Sequence, residues 1–413
     1  MEEKLRFVLD YERDEWSMVE LCQRYGVSRE TGYVWLRRYR EHGVPGLVEL
    51  NRAADRHRNR TAPDIEEAIL ELRQGHMRWG PRKLKRILER DEPQRDWPAA
   101  STIGEMLKRA GLVVARKKRR TTAPYTEPLG HAVDSNRVWC ADFKGWFRTT
   151  DGARIDPLTI SDAYSRYLLR CQLVEKTNTV RVQAIFEAAF SEYGLPQAIR
   201  TDNGAPFASH APGGLSRLSV WWIKLGIVPE RIEAGHPEQN GRHERLHRTL
   251  KQEVATPPAS DRRAQQRLFD EFRREYNEVR PHEALGMQTP AALYVPSARA
   301  YPGVLRQPEY PDSMLVRSVD SQGCFGWKRR QRVYISQVLA GEQIGLSPSD
   351  EHCYTIYFAH VPLARFDSHH SYVLPLPKDF FDKAEAGKGE ESPSPAPHPL
   401  VEAERKLSGM CPV

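Results

Sequence analysis

Three patterns along one chain predict a multidomain protein. It would carry all-α helix-turn-helix domains at the amino end, an α/β core in the middle, and a small β-rich, barrel-like domain near the carboxyl end. The helical part rests on two sets of apolar residues at three- and four-residue spacing, each interrupted by a glycine turn. The core rests on strand-like apolar runs alternating with a helical one. The last part rests on short alternating runs beyond residue 310. At 413 residues the chain is too long for one compact core, so several domains are expected in any case.

Residues 1–48 read as a helix-turn-helix domain. Met18, Leu21, Cys22 and Tyr25 give one apolar face, Gly26 supplies the turn, and Ser28 caps a second helix carrying Val34, Trp35 and Tyr39. Such a second helix enters a major groove, where Arg29, Glu30 and Tyr33 near its start reach base edges. An ordinary helical hairpin would explain the same spacing. Residues 62–114 repeat the theme. Ile65, Ile69 and Leu72 mark one helix, and Gly80-Pro81 opens a second with Leu84, Ile87 and Leu88. Ser101 caps a third, with Ile103, Met106 and Leu107, that stops at Gly111.

Residues 115–134 form a basic linker headed by Arg116, Lys117, Lys118, Arg119 and Arg120. Lys+Arg exceed Asp+Glu by 62 to 55, a net charge of +7, and the excess is concentrated in the first third. The runs at Arg37–Arg40, Arg56–Arg60 and Arg116–Arg120 fit a phosphate-backbone partner. A solvated surface explains any one run, but three beside helix-turn-helix patterns point to nucleic acid.

Residues 135–297 alternate strand and helix signals. Val138–Phe147, Ala153–Ser161 and Tyr167–Val174 read as antiparallel strands, and Gln197–Thr201 as a fourth. Between them Thr177–Tyr193 is a helix with Val180, Ala184, Ile185, Ala188 and Ala189 inward. Leu246, Leu250 and Val254 mark a buried helix face, and Asp261–Arg280 a further helix with Leu268, Phe272 and Tyr276 aligned. Asp142 lies in an apolar strand, where a carboxylate costs several kcal/mol unless paired or metal-bound. Asp202 sits in an Asp-Asn-Gly turn at a strand's carboxyl edge, and Glu244 in the first turns of a helix. A turn aspartate and a Glu244–Arg248 surface pair are the ordinary explanations of the latter two. Together, two strand-borne aspartates and a helix-borne glutamate are what two hard divalent cations require.

Residues 310–376 carry short alternating runs at Met314–Val319, Gln331–Ile335, Gln343–Leu346 and Cys353–Phe358. Trp327-Lys328-Arg329-Arg330 offers a nucleic-acid face, with a packing module as the competing reading. Residues 383–413 lack an apolar pattern and read as a disordered tail. Six cysteines without a C-x-x-C pair read as small core residues in a reducing, cytoplasmic setting without structural zinc. No apolar run has the length of a membrane helix, and no P-loop suggests a nucleotide cofactor.

Several stretches carry a family resemblance. They are Asp142-Phe143-Lys144-Gly145, Ser161-Asp162-Ala163-Tyr164-Ser165-Arg166, Thr201-Asp202-Asn203-Gly204, and His236-Pro237-Glu238-Gln239-Asn240-Gly241-Arg242-His243-Glu244-Arg245 followed by Thr249-Leu250-Lys251. Arg280-Pro281-His282-Glu283-Ala284-Leu285 with Thr289-Pro290 completes the set. Together they resemble the integrase core of DDE transposases and retroviral integrases, in particular insertion-sequence transposases of the IS481/IS3-like group.

The resemblance implies a ribonuclease-H-like core and a DNA transposase that cuts and joins DNA. It implies Asp142, Asp202 and Glu244 as catalytic residues and ligands of two Mg²⁺ (or Mn²⁺) ions, double-stranded DNA (terminal repeats and target) as partner, and a homo-oligomer bound to the nucleoid. Arg245, Arg248 and Lys251, on the same helix as Glu244, would hold phosphates. The family spacing from the second aspartate falls on Glu238. Glu244 is preferred because the motif sets the acid after Asn-Gly, and Ser209–Leu215 reads as the insertion that absorbs the difference. Asp162 reads as a supporting acid. A silent DNA-binding regulator and a nuclease without joining activity are the alternatives.

Overall fold

The computed structural model describes residues 2–49, 61–113, 129–175, 177–209, 211–232, 241–305, 307–328 and 331–376. Expectations for Arg56–Arg60, Arg116–Arg120, Glu238, Arg329, Arg330 and the 383–413 tail fall outside these residues. The chain divides into two compact units, residues 1–68 and 69–413.

The first unit is built on α1 (Glu2–Glu12), α2 (Met18–Tyr25) and α3 (Arg29–His42). Ser17 and Glu20 form a capping box at the start of α2, and Gly26 ends it in the left-handed conformation (φ 64°). Ser28 caps α3 by accepting from the Thr31 amide at 3.1 Å. The helix α1 is not foreseen in the sequence. It packs Phe7 and Val8 into the α2–α3 angle, and a side chain at Gly32 would meet Phe7 Cζ at 2.8 Å, so glycine permits that approach.

Next come α4 (Pro63–Gly75), α5 (Pro81–Asp91) and α6 (Ala100–Arg109). Leu84, Ile87, Leu88, Ile103, Met106 and Leu107 are buried as their spacing predicts. Ser101 is not a cap: it lies inside α6, whose preceding residue is Ala99.

The core sheet comprises β1 (Val138–Phe143), β2 (Phe147–Arg148), β3 (Arg154–Asp162) and β4 (Leu168–Val174), then α7 (Thr179–Tyr193), β5 (Ala198–Thr201), α8 (Arg217–Lys224) and β6 (Val228–Arg231). The single strand expected over Val138–Phe147 is broken in two near Gly145 (φ 89°). β3 pairs antiparallel with β1, β2 and β4, whereas β1 pairs parallel with β5, and β5 with β6. α7 and α8 cover one face over Trp139, Ala141, Leu158, Ile160 and Ile199. The other face, with Ile155, Cys171 and Leu173, is covered by α9 (Gly241–Val254) and α10 (Arg262–Arg274) through Leu246, Leu250, Phe269 and Phe272.

In α7 the inward stripe is Val182, Ile185, Phe186, Ala189, Phe190 and Tyr193, while Val180 is 79% exposed and Ala184 and Ala188 face solvent. The aromatic stripe wins because it removes more apolar area from water. α8 and β6 were not legible. Leu218, Val220, Trp221, Trp222 and Ile223 are all buried, so α8 carries no polar face to give it a period.

The carboxyl-terminal module contains β7 (Leu315–Ser318), β8 (Cys324–Gly326), β9 (Arg332–Tyr334), β10 (Gln343–Asp350), β11 (Cys353–Phe358), β12 (Val361–Asp367) and β13 (Tyr372–Leu374). Five of these form an antiparallel sheet in the order β13-β12-β11-β10-β7, and the β8–β9 hairpin joins the end of β7 through a Val319–Phe325 bridge. Trp327 is half-buried and packs edge-on against the module, 4.9 Å from Phe366 and 5.1 Å from Tyr354 between ring centroids. Leu215, Val220 and Ile223 of the core join this module's hydrophobic cluster. The insertion expected over Ser209–Leu215 contains a 3-10 turn at Pro212–Gly214 set against Leu363 of β12, and so helps seat the module.

Lys224 Nζ meets Glu342 Oε2 at 2.9 Å, with 10% and 16% of the side chains exposed. Lys224→Met is expected to cost about 3 kcal/mol, because it leaves a largely desolvated carboxylate without its counter-charge. The urea midpoint of the full chain measures this, and an unchanged midpoint would show the pair to be dispensable.

Candidate active site

The register of β1 and β5 brings two distant acids together. Ala141 is paired with Thr201, so Asp142 and Asp202, each one residue further on, occupy adjacent positions at the carboxyl ends of parallel neighbours. Adjacent strands lie about 4.8 Å apart. Asp202 is set by its turn: its Oδ1 accepts the Gly204 amide at 3.2 Å, while Asn203 Nδ2 donates to the Ile232 carbonyl at 2.8 Å. A side chain at Gly204 would stand 3.0 Å from Asp202 Oδ2, so this turn leaves little room beside the carboxylate.

Sheet alternation turns Asp142 and Thr159, its partner across β3, toward the face that α9 covers. There Thr159 Oγ1 lies 2.9 Å from His243 Nε2 and 2.8 Å from His247 Nε2, and donates to the Asp142 carbonyl at 3.3 Å. A hydroxyl has one proton and two lone pairs, so the set is complete when both imidazoles are neutral and donate through Nε2. Burial pushes His243 down to about 4, and burial with the neighbouring His243 and Lys144 pushes His247 down to about 2. Neither ring has a structural reason visible in the sequence, since Thr159 is remote in the chain. His247 Nδ1 stands 4.0 Å from Asp142 Oδ2.

Glu244 follows His243 on α9, is exposed, and forms no ion pair with Arg248 among the described residues. Its ordinary explanation as half of a surface pair is therefore not realised. Arg245, Arg248 and Lys251 are exposed on the same helix. Burial, then the Lys251 ammonium, lowers the basicity of Lys144, so two lysines from distant segments share the neighbourhood of Asp142. Asp162 is buried and accepts from the Asn136 amide (2.8 Å), the Ser165 amide (2.8 Å) and the Ser165 hydroxyl (2.6 Å), so it staples a turn. In the first unit, Arg29 and Tyr33 lie exposed on α3, Tyr33 at 54%.

Among the described residues no three His, Cys, Asp or Glu side chains are gathered closely enough to hold a metal ion. The side chains that the β1–β5 register sets at neighbouring strand ends offer carboxylate oxygens, which suit Mg²⁺ or Mn²⁺ rather than a thiolate-seeking metal. Among the described residues no helix is long and apolar enough to cross a membrane.

This arrangement, acids at the edge of a mixed sheet behind helix-turn-helix domains, defines a DNA-processing protein with an integrase core. Models described as "Integrase core domain" match residues 132–237 and 225–290, and homeodomain-like helix-turn-helix models match residues 1–48 and 31–107. An insertion element IS476 protein of 39.2 kDa from Xanthomonas euvesicatoria is 30% identical over 251 residues, covering 59% of this chain and 69% of its own. An insertion element IS407 protein of Burkholderia multivorans is 28% identical, covering 55% and 82%. Transposase InsD of insertion element IS2D from Escherichia coli is 25% identical, covering 51% and 72%. The chain belongs to the integrase-core family of insertion-element transposases.

Proposed function

We propose that this transposase cleaves DNA at the ends of its own element and joins those ends to target DNA. The observation that supports the chemistry is the β1–β5 register, which sets Asp142 and Asp202 one residue beyond the paired Ala141 and Thr201. Asp142, Asp202 and Glu244 would hold two Mg²⁺ (or Mn²⁺) ions, with Glu238 as the competing third ligand. Bound there, the metal would lower the pKa of water or of a DNA 3′-hydroxyl and offset charge on the leaving oxygen. The protein's own part is to fix those carboxylates, hold neutral imidazoles beside Asp142, and present Lys144 and Lys251 to phosphate. Displacement in line at phosphorus then needs no covalent enzyme intermediate.

In this reading residues 1–48 and 62–114 recognise the element's terminal repeats, with Arg29 and Tyr33 at base edges. The 115–134 linker, through Arg116, Lys117, Lys118 and Arg119, follows the backbone. Residues 135–297 do the chemistry, where Arg245, Arg248 and Lys251 hold phosphates, and residues 310–376 brace them. Two ends must be processed together, so a homo-oligomer on the nucleoid is the expected working form. The narrower IS481/IS3-like placement rests on the motifs quoted above.

One observation favours a silent DNA-binding regulator: the three acids are not gathered into a cluster among the described residues. A single assay separates the readings. The full chain is incubated with Mg²⁺, a labelled duplex carrying the inverted repeats that flank its gene, and a target plasmid. Metal-dependent nicking plus joined product is expected. Binding without nicking would leave the regulator, and nicking without joining would leave a nuclease.

A further inference from the structure

We infer that Arg166, Arg242 and Arg245 form a separate phosphate-binding site for the DNA backbone, on the flank of α9 opposite the carboxylates. This rests on the proposed function and adds to it the place where a strand is gripped beside the reacting phosphate.

Arg166 stands in the turn that Asp162 staples, in a left-handed backbone conformation (φ 64°), with its amide donating to the Asp162 carbonyl at 3.0 Å. Those bonds fix the backbone from which the arginine projects. Arg242 Nη1 donates to the carbonyl of Ala163, in the same turn, at 2.8 Å. Arg245 follows Arg242 by one helical turn. Among the described residues none of the three has a carboxylate within ion-pairing distance. Burial, and after it the guanidinium groups of Arg242 and Arg245, hold Arg166 below the usual arginine range. Arg280, which like Arg166 lies near Tyr276, has its own charge met by Glu253 at 2.6 Å.

Two half-buried guanidinium groups with an exposed third beside them call for an anion, and guanidinium groups match phosphate oxygens through paired N–H donors. The geometry of α9 says where that anion lies. At 3.6 residues per turn, His243, Leu246 and Leu250 face the sheet, Glu244, His247 and Lys251 lie toward Asp142, and Arg242 and Arg245 lie on the other side. A DNA strand crossing the exposed ridge of α9 would therefore meet acids on one flank and this arginine triad on the other.

The test is the salt dependence of binding between the full chain and a fluorescent random-sequence duplex without divalent metal. Each phosphate contact contributes about 0.9 to the slope of log K against log salt. A single shared phosphate predicts that Arg166→Gln, Arg245→Gln and the double variant each lower the slope by about 0.9, with no summation in the double variant. Arg181→Gln, an exposed change of equal charge on α7, should leave it unaltered. If Arg166→Gln fails to fold, Arg242→Gln takes its place beside the exposed Arg245→Gln, and the absence of summation in that pair carries the same decision. An unchanged slope in folded Arg245→Gln overturns the site. A loss that doubles in the double variant replaces one shared site by independent contacts, which also overturns it. Metal-dependent nicking by the unaltered protein is read separately, so loss of the arginine site leaves the transposase reading standing, and the converse holds.

Discussion

Asp142→Asn and Asp202→Asn should each lower metal-dependent nicking and joining at least ~10³-fold, equivalent to about 4 kcal/mol of transition-state stabilisation. Binding to the duplex should survive, because the helix-turn-helix helices lie outside the core sheet. The effect is large because each substitution removes a charged oxygen ligand while preserving the shape of the strand end. Time courses of nicked product, set beside gel-shift titrations, measure both quantities. Activity within tenfold of the parent in either variant would remove the paired aspartates from the chemistry.

The third acid is decided by a comparison. Glu244→Gln should be inactive and Glu238→Gln active, and the reverse pattern would move the ligand to Glu238. Asp162→Asn supplies the contrast. Asp162 accepts three short hydrogen bonds and is buried, so its replacement should lower thermal stability while leaving the metal dependence of the remaining activity unaltered.

The parts of this site legible in the sequence are those with local causes. Asp142 lies in a strand because Val138, Trp139 and Cys140 precede it, and Asp202 ends one because Asp-Asn-Gly turns the chain. The helices α2 and α3 follow from Ser28, Gly26 and apolar spacing. What stayed hidden depends on residues remote in the chain. Thr159 joins His243 to His247 across a sheet and a helix, and nothing near Thr159 announces it. In α7 the spacing points to the stripe with Val180, Ala184 and Ala188, whereas packing against the sheet and α8 selects the one with Phe186 and Phe190. α8 has no clear period because six consecutive residues, Leu218 to Ile223, are buried. The choice between Glu238 and Glu244 is of another kind, since it rests on the position of the acid relative to Asn240-Gly241 and on reading Ser209–Leu215 as an insertion.

Acidification of the metal-free protein is expected to destabilise the core steeply between about pH 6.5 and pH 5. Burial lowers His243 to about 4, burial with nearby Lys83, Arg280 and Arg166 lowers His282 to about 3, and His247 falls to about 2. Above the unfolded value of about 6.5 all three rings are neutral in both states, so the folded state has its full stability there. Below it the unfolded chain binds protons that the folded core refuses, and stability is lost as pH falls toward the folded values. At pH 5 each ring costs about 2 kcal/mol relative to pH 7, on the order of 6 kcal/mol together, against a typical total of roughly 5–15. Burial also holds the Asp156 and Asp162 carboxyls above their usual range, which works in the opposite direction. The histidine variants therefore carry the test. Urea midpoints at pH 7.5 and pH 5 should differ sharply in the parent protein, and His282→Gln should remove about a third of the difference. Equal differences in parent and variant would mean that His282 takes up its proton as readily in the folded state as in the unfolded one, contrary to its burial beside Lys83, Arg280 and Arg166.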